Sequence, residues 1–131
     1  MAVAGAAAEA QLAFADALLD GSSPEAAAAS IARLVAQAEN TRVLLALVCA
    51  SDDVPGVREV FRTLADGMVA QGRKMLVSLD AGAVPEALYL LHALSVGLAA
   101  VTFATGRPDG EAWMGSVLEA ALQLLCAEGA T

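Results

Sequence analysis

The 131 residues fit one domain, 58% of them hydrophobic, with a mean hydropathy of +0.64 and a formal net charge of −8. Seven Lys plus Arg, not clustered, argue against phosphate-backbone contacts and against an anionic membrane surface. The chain itself is therefore expected to make no nucleic-acid contacts. Much of the apolar content is alanine, which favours helix and adds little bulk. An alanine-rich helix is expected over residues 2–20, with Leu12, Ala15, Leu18 and Leu19 on one stripe, Phe14 beside it and Gly21 as its stop. Ser23, Pro24 and Glu25 read as N-cap, N1 and first turn of a second helix carrying Ile31, Leu34, Val35 and Ala38.

Asn40-Thr41 reads as the next cap, before Val43, Leu44, Leu47 and Val48, and this short helix is expected to end at Ser51-Asp52-Asp53. Val54-Pro55 is expected to open a long fourth helix running to about Asp80. Its apolar face is regular: Val57, Phe61, Leu64, Met68, Met75 and Leu79, with Gln71 where another apolar residue belongs. Asp80-Ala81-Gly82 ends it, and Val84-Pro85-Glu86 starts a final hairpin of two helices. No stretch alternates as a strand would. The fold expected is all-α, about six helices, one domain over residues 1–131. No charged-then-apolar leader opens the chain. Cys49 and Cys126 sit in apolar helical patterns and are expected as reduced core thiols of a cytoplasmic protein.

Residues 87–106 contain no charged side chain beyond one neutral histidine, over the ~20 residues of a membrane span. Ala, Gly, Ser, Thr and His dilute the run, and neither a Lys/Arg cluster nor an aromatic belt flanks it. The expectation is no membrane, but a buried helix that also serves an interface. At 100° per residue, Ala93, Gly97, Ala100 and Ala104 fall on one small-residue line. Leu88, Leu91, Ser95, Leu98 and Thr102 lie opposite. The last helix puts Trp113, Val117, Ala120 and Leu124 on one row and Met114, Leu118, Ala121 and Leu125 on the next. Two broadly apolar helices in so small a chain suggest a four-helix interface between two copies. Tyr89, Ala93, Gly97, Ala100, Ala104, Met114, Leu118, Ala121 and Leu125 are the residues expected there.

The order of elements resembles the C-terminal regulatory domain of TetR-family transcriptional regulators. TRVLLALVCA is followed by Asp-Asp-Val-Pro and VREVFRTLADGMVAQGRKMLVSLDAG. Then comes Pro-Glu-Ala with LYLLHALSVGLAA, where Gly97-Leu98 matches that family's usual Gly-Leu step, and VLEAALQLL resembles its last helix. The likeness spans roughly Pro24 to Cys126. It implies a homodimer held by the hairpin over residues 85–126, a ligand cavity among the preceding helices, and a linker helix over residues 1–20. The family's helix-turn-helix head has no counterpart here, so operator contacts are expected only through such a head.

His92 is the only histidine, and no Ser-His-Asp or Cys-His arrangement can be built around it from spacing. A metal site would need more ligands. No enzyme, metal or cofactor is expected. His92 is read as a satisfied core histidine or as the polar anchor of a cavity. Ser95 and Thr102 either bond a carbonyl one turn back or face that cavity. Gln71 is either partly exposed or a placed amide in an apolar pocket. Phe61, Leu64, Met68, Met75, Leu91 and Leu98 are core or pocket wall. Together these ten residues are the candidate site for a small, mostly apolar ligand. The alternative role is a head-less module that pairs with a full-length regulator, or a dimerisation domain with a filled core.

Overall fold

A computed structural model describes residues 2–50, 52–80 and 85–129, which form six helices and no strand, so the protein is all-α. The helices are α1 (Ala2–Leu18), α2 (Pro24–Val35), α3 (Ala38–Ala50), α4 (Val57–Ser78), α5 (Pro85–Thr105) and α6 (Gly110–Gly129). The side chains of Leu44 and Leu47 and the expected joint at 81–84 lie outside the described residues.

Local chemistry sets the boundaries. Ser23 is extended at the α2 N-cap, and its hydroxyl accepts from the Ala26 amide at 3.0 Å, with Pro24 in the first position. The Asp20 amide donates to the Ser30 hydroxyl at 3.1 Å, and that hydroxyl donates to the Ala27 carbonyl at 2.8 Å. The turn after α1 is thereby tied to the buried face of α2. Three expected boundaries need correction. The α3 backbone begins at Ala38, so Asn40 and Thr41 fall inside the helix; their side chains lie outside the described residues. Pro55 stands in the turn before α4, whose N-cap is Gly56 at φ +86°, a left-handed conformation that a glycine adopts without steric cost. α2 stops at Val35, so Ala38, expected on its apolar stripe, belongs to α3; α4 ends close to where expected, with Asp80 left-handed at φ 60° just past it.

The core centres on α2. Its Ala27, Ala28 and Ala32 are essentially fully buried, and α6 packs on α2 more extensively than any other pair of helices meets. Met114, Leu118 and Leu122 of α6 are buried against this alanine face, together with Met75 and Leu76 of α4 and Leu88, Leu91 and Leu98 of α5. This corrects the expected interface. Met114 and Leu118 are 1% and 0% exposed and are spent inside the chain; Ala121 and Leu125 are half-buried. The physical reason lies in Pro24–Ser30, where consecutive alanines leave room for a helix to approach. A Cβ on Gly115 would sit 3.7 Å from that of Ala32. Among the described glycines, an added Cβ would clash at Gly67, against Leu12 of α1, and at Gly110, against Thr102 of α5.

Candidate ligand cavity and exposed helix face

α5 divides into two faces. Ala87, Leu88, Leu91, Ser95, Leu98 and Ala99 are buried. Tyr89 and Leu90 are 59% and 60% exposed, and Ala93, Gly97, Val101 and Ala104 also face outward, with Ala100 half-buried. The helix is long and apolar enough to cross a membrane, and only a third of its most apolar stretch is covered by the rest of the chain. A Cβ placed on Gly97 would meet nothing within 4 Å.

On the inner side of α5, a cavity of about 60 Å³ lies between α2, α3, α4 and α5. Phe61, Leu64, Met68, His92 and Ser95 line it, joined by Leu34, Val35, Leu45, Val48, Ala65, Val96 and Ala99. A second cavity of about 40 Å³ adjoins it, and Leu34, Val35, Met68, His92 and Ser95 line both. Met75 and Leu91, expected in the site, line only the second, with Ile31 and Leu88. No charged side chain lines either cavity among the described residues.

Polar capacity in this space is small. The Ser95 hydroxyl donates to the Leu91 carbonyl at 2.8 Å, one turn back, so its proton is used and only lone pairs remain. His92 is half-buried, and removal from water pushes its pKa below the usual imidazole value. It is therefore neutral at pH 7, with one N–H donor and one bare nitrogen.

Three of the ten expected residues lie elsewhere. Gln71 points to α1: its amide nitrogen donates to the Leu12 carbonyl at 2.7 Å, and its buried oxygen has no partner. Leu98 is packed into the core beside Met114 and lines neither cavity. Thr102 faces a groove of about 350 Å³ at the end of the bundle, with Val35, Phe103, Arg107 and Glu111. Its hydroxyl is buried without a partner, so neither of the readings offered for it describes its bonding.

The sequence reading missed Val96 and Ala99. They stand four and seven residues after His92, on the same helical flank, so the histidine itself was the available signal. α3 contributes Val48, which stood in the expected apolar set, and Leu45, which did not. No family model, curated protein or solved structure matches the chain. The functional reading therefore rests on this geometry.

Nearby charges act outside the cavity. Arg107 pairs with Asp109 at 3.0 Å in the turn between α5 and α6 and stacks on Trp113, 4.5 Å from the ring centre. The bond holds the Asp109 carboxyl below its ordinary value. Arg42 of α3 lies 5.2 Å from the Phe103 ring centre on α5, a cation–π contact that ties α3 to α5. Both cysteines are free; Cys49 is exposed, which corrects its expected place in the core, and the Cys126 thiol is 3.9 Å from the Leu79 carbonyl.

Proposed function

We propose that the chain is a ligand-sensing and dimerisation domain of a transcriptional regulator of TetR type, binding a small, mostly apolar molecule between α2, α3, α4 and α5. The observation that carries this reading is the division of α5. Its inner face lines an apolar cavity holding a single histidine, and its outer face is left bare. An apolar pocket with few polar groups is the usual form of a small-molecule site.

The outer face supports self-association. The chain exposes 7337 Å². A folded monomer of 13.2 kDa is expected to expose about 6,400 Å². The excess is of the order of one partner's ~800 Å² share of a standard interface. The pairing surface in this reading is Tyr89, Leu90, Ala93, Gly97, Val101 and Ala104, with Leu124 of α6, which is 70% exposed.

Coupling between cavity and α1 has a physical route. α4 presents Phe61, Leu64 and Met68 to the cavity and Gly67 and Gln71 to Leu12 of α1. A ligand that favours one position of α4 would favour one position of α1. In a regulator carrying DNA-binding heads, that is a population shift in head spacing.

Sedimentation equilibrium and native mass spectrometry test the reading together. The expected result is a dimer that retains a small molecule. A chain that stays monomeric at micromolar concentration and takes up no apolar compound would sink it, and so would stable partition of α5 into lipid vesicles. The small volume of the two cavities favours a second reading, a dimerisation module with a filled core. It predicts the dimer with no uptake at any ligand concentration.

A further inference from the structure

The two adjoining cavities offer a ligand an unusual combination of wall and polar groups. Neither space alone, nor the two simply added, would hold an aromatic ring, since an apolar cavity of about 150 Å³ is what accommodates benzene; a ring enters only when the side chain between them gives up its own volume. Met68 lines both. Its side chain is unbranched and has three rotatable bonds, so a rotamer change is the cheapest movement available to the wall. With Met68 turned aside, the two spaces become one elongated slot. Phe61 and Leu64 stand at one end, Leu88 and Leu91 at the other, and His92 and Ser95 lie along its length.

The polar atoms decide what fits. Ser95 offers only an acceptor, because its proton goes to the Leu91 carbonyl. Neutral His92 offers one donor and one acceptor, and its imidazole has no hydrogen-bond partner among the described residues. A carboxylate or phosphate placed here would be a buried charge with no cation lining the site, and an ammonium would find no acid. A hydroxyl group can donate to the bare nitrogen or accept from the N–H, so it matches whichever side of the imidazole faces the slot.

Resting on the proposed small-molecule site, we infer that its ligand is an uncharged, elongated apolar molecule carrying one hydroxyl group. The hydroxyl bonds to His92, and the apolar body occupies the slot opened by Met68. A phenol with a short para-alkyl chain has this shape and chemistry.

The test compares 4-propylphenol, propylbenzene and 4-propylbenzoate by calorimetry, with the His92 imidazole nitrogens followed by NMR. The phenol is expected to bind about three- to tenfold more tightly than the arene, the range of one net hydrogen bond, and to shift the His92 nitrogen signals. The benzoate is expected not to bind. In His92→Leu the phenol's advantage disappears while the arene still binds, and Ser95→Ala leaves the advantage in place. Met68→Ala, which removes the movable wall, strengthens arene binding. Equal binding of phenol and arene to the unmutated chain, or preferred binding of the benzoate, overturns the ligand class but leaves the site standing. If none of the three binds the unmutated chain or Met68→Ala, the small-molecule reading fails with it. If His92→Leu does not fold, the His92 nitrogen shifts in the unmutated chain decide the assignment.

Discussion

Desolvation of His92 has a consequence for stability as well as for ligand choice. Its folded pKa lies below the unfolded value of about 6.5. Above that value both states are neutral there and the residue contributes no pH dependence. As the pH falls through 6.5, the unfolded chain takes up a proton that the folded one resists, so stability declines until the depressed folded value is passed. No other titratable side chain among the described residues lines the cavities from α2, α3, α4 or α5. Asp20 and Asp109 have lowered values, so they weaken folding only at more acid pH, below the ordinary carboxylate range. Urea unfolding between pH 7 and 5 should show decreasing stability in the unmutated chain and a flatter profile in His92→Leu. Equal slopes would mean that the imidazole is solvated in the folded state. Gln71 teaches the opposite lesson at this scale. A polar residue interrupting an apolar row was legible in the sequence, but its direction was not. The residue serves the packing of α1 by bonding the Leu12 carbonyl across 59 positions of chain.

The helices owe their identity to local signals and their partners to bulk. α2 is capped by Ser23 and started by Pro24, both readable from the chain. That α6 lies on α2 follows instead from the absence of side-chain volume at Ala27, Ala28 and Ala32. The sequence reading assigned the small-residue role to α5, where Ala93, Gly97 and Ala104 face outward. This makes Gly97 a clean probe. The space beside it is open within the chain, and replacing a helical glycine should favour the helix by up to about 1 kcal/mol. Gly97→Leu is expected to leave the unfolding midpoint of dilute protein unchanged or higher while shifting the sedimentation profile from dimer to monomer. A dimer that survives Gly97→Leu would place the contact on another face.

Across the whole molecule, α4 is the element that joins the cavity to α1. It carries one wall of the cavity and the seat of α1. A Cβ at Gly67 would stand 2.6 Å from the Leu12 side chain, so the β-branched side chain in Gly67→Val would push Leu12 out of its place and loosen the seat of α1 at a cost of about 1–3 kcal/mol. Hydrogen exchange should then rise across α1 alone, with α2, α5 and α6 protected as before. Uptake of an apolar probe by the cavity should persist. Loss of protection in α2 and α6 as well would show that α1 belongs to the same cooperative unit as the core, and that it does not move independently of it.

The sequence by itself determined that the chain is all helical, where most of its helices begin and end, and which face of α5 is bulky enough to be buried. These follow from caps, breakers and a 3.6-residue period, all of which act over a few residues. Only the tertiary structure decided that Met114 and Leu118 lie in the interior, that Gln71 turns to α1, and that His92 and Ser95 share a space with Phe61, Leu64 and Met68. Those outcomes depend on which helix fits against which. That fit depends on side-chain volume summed over helices distant in the chain, a quantity no local pattern carries.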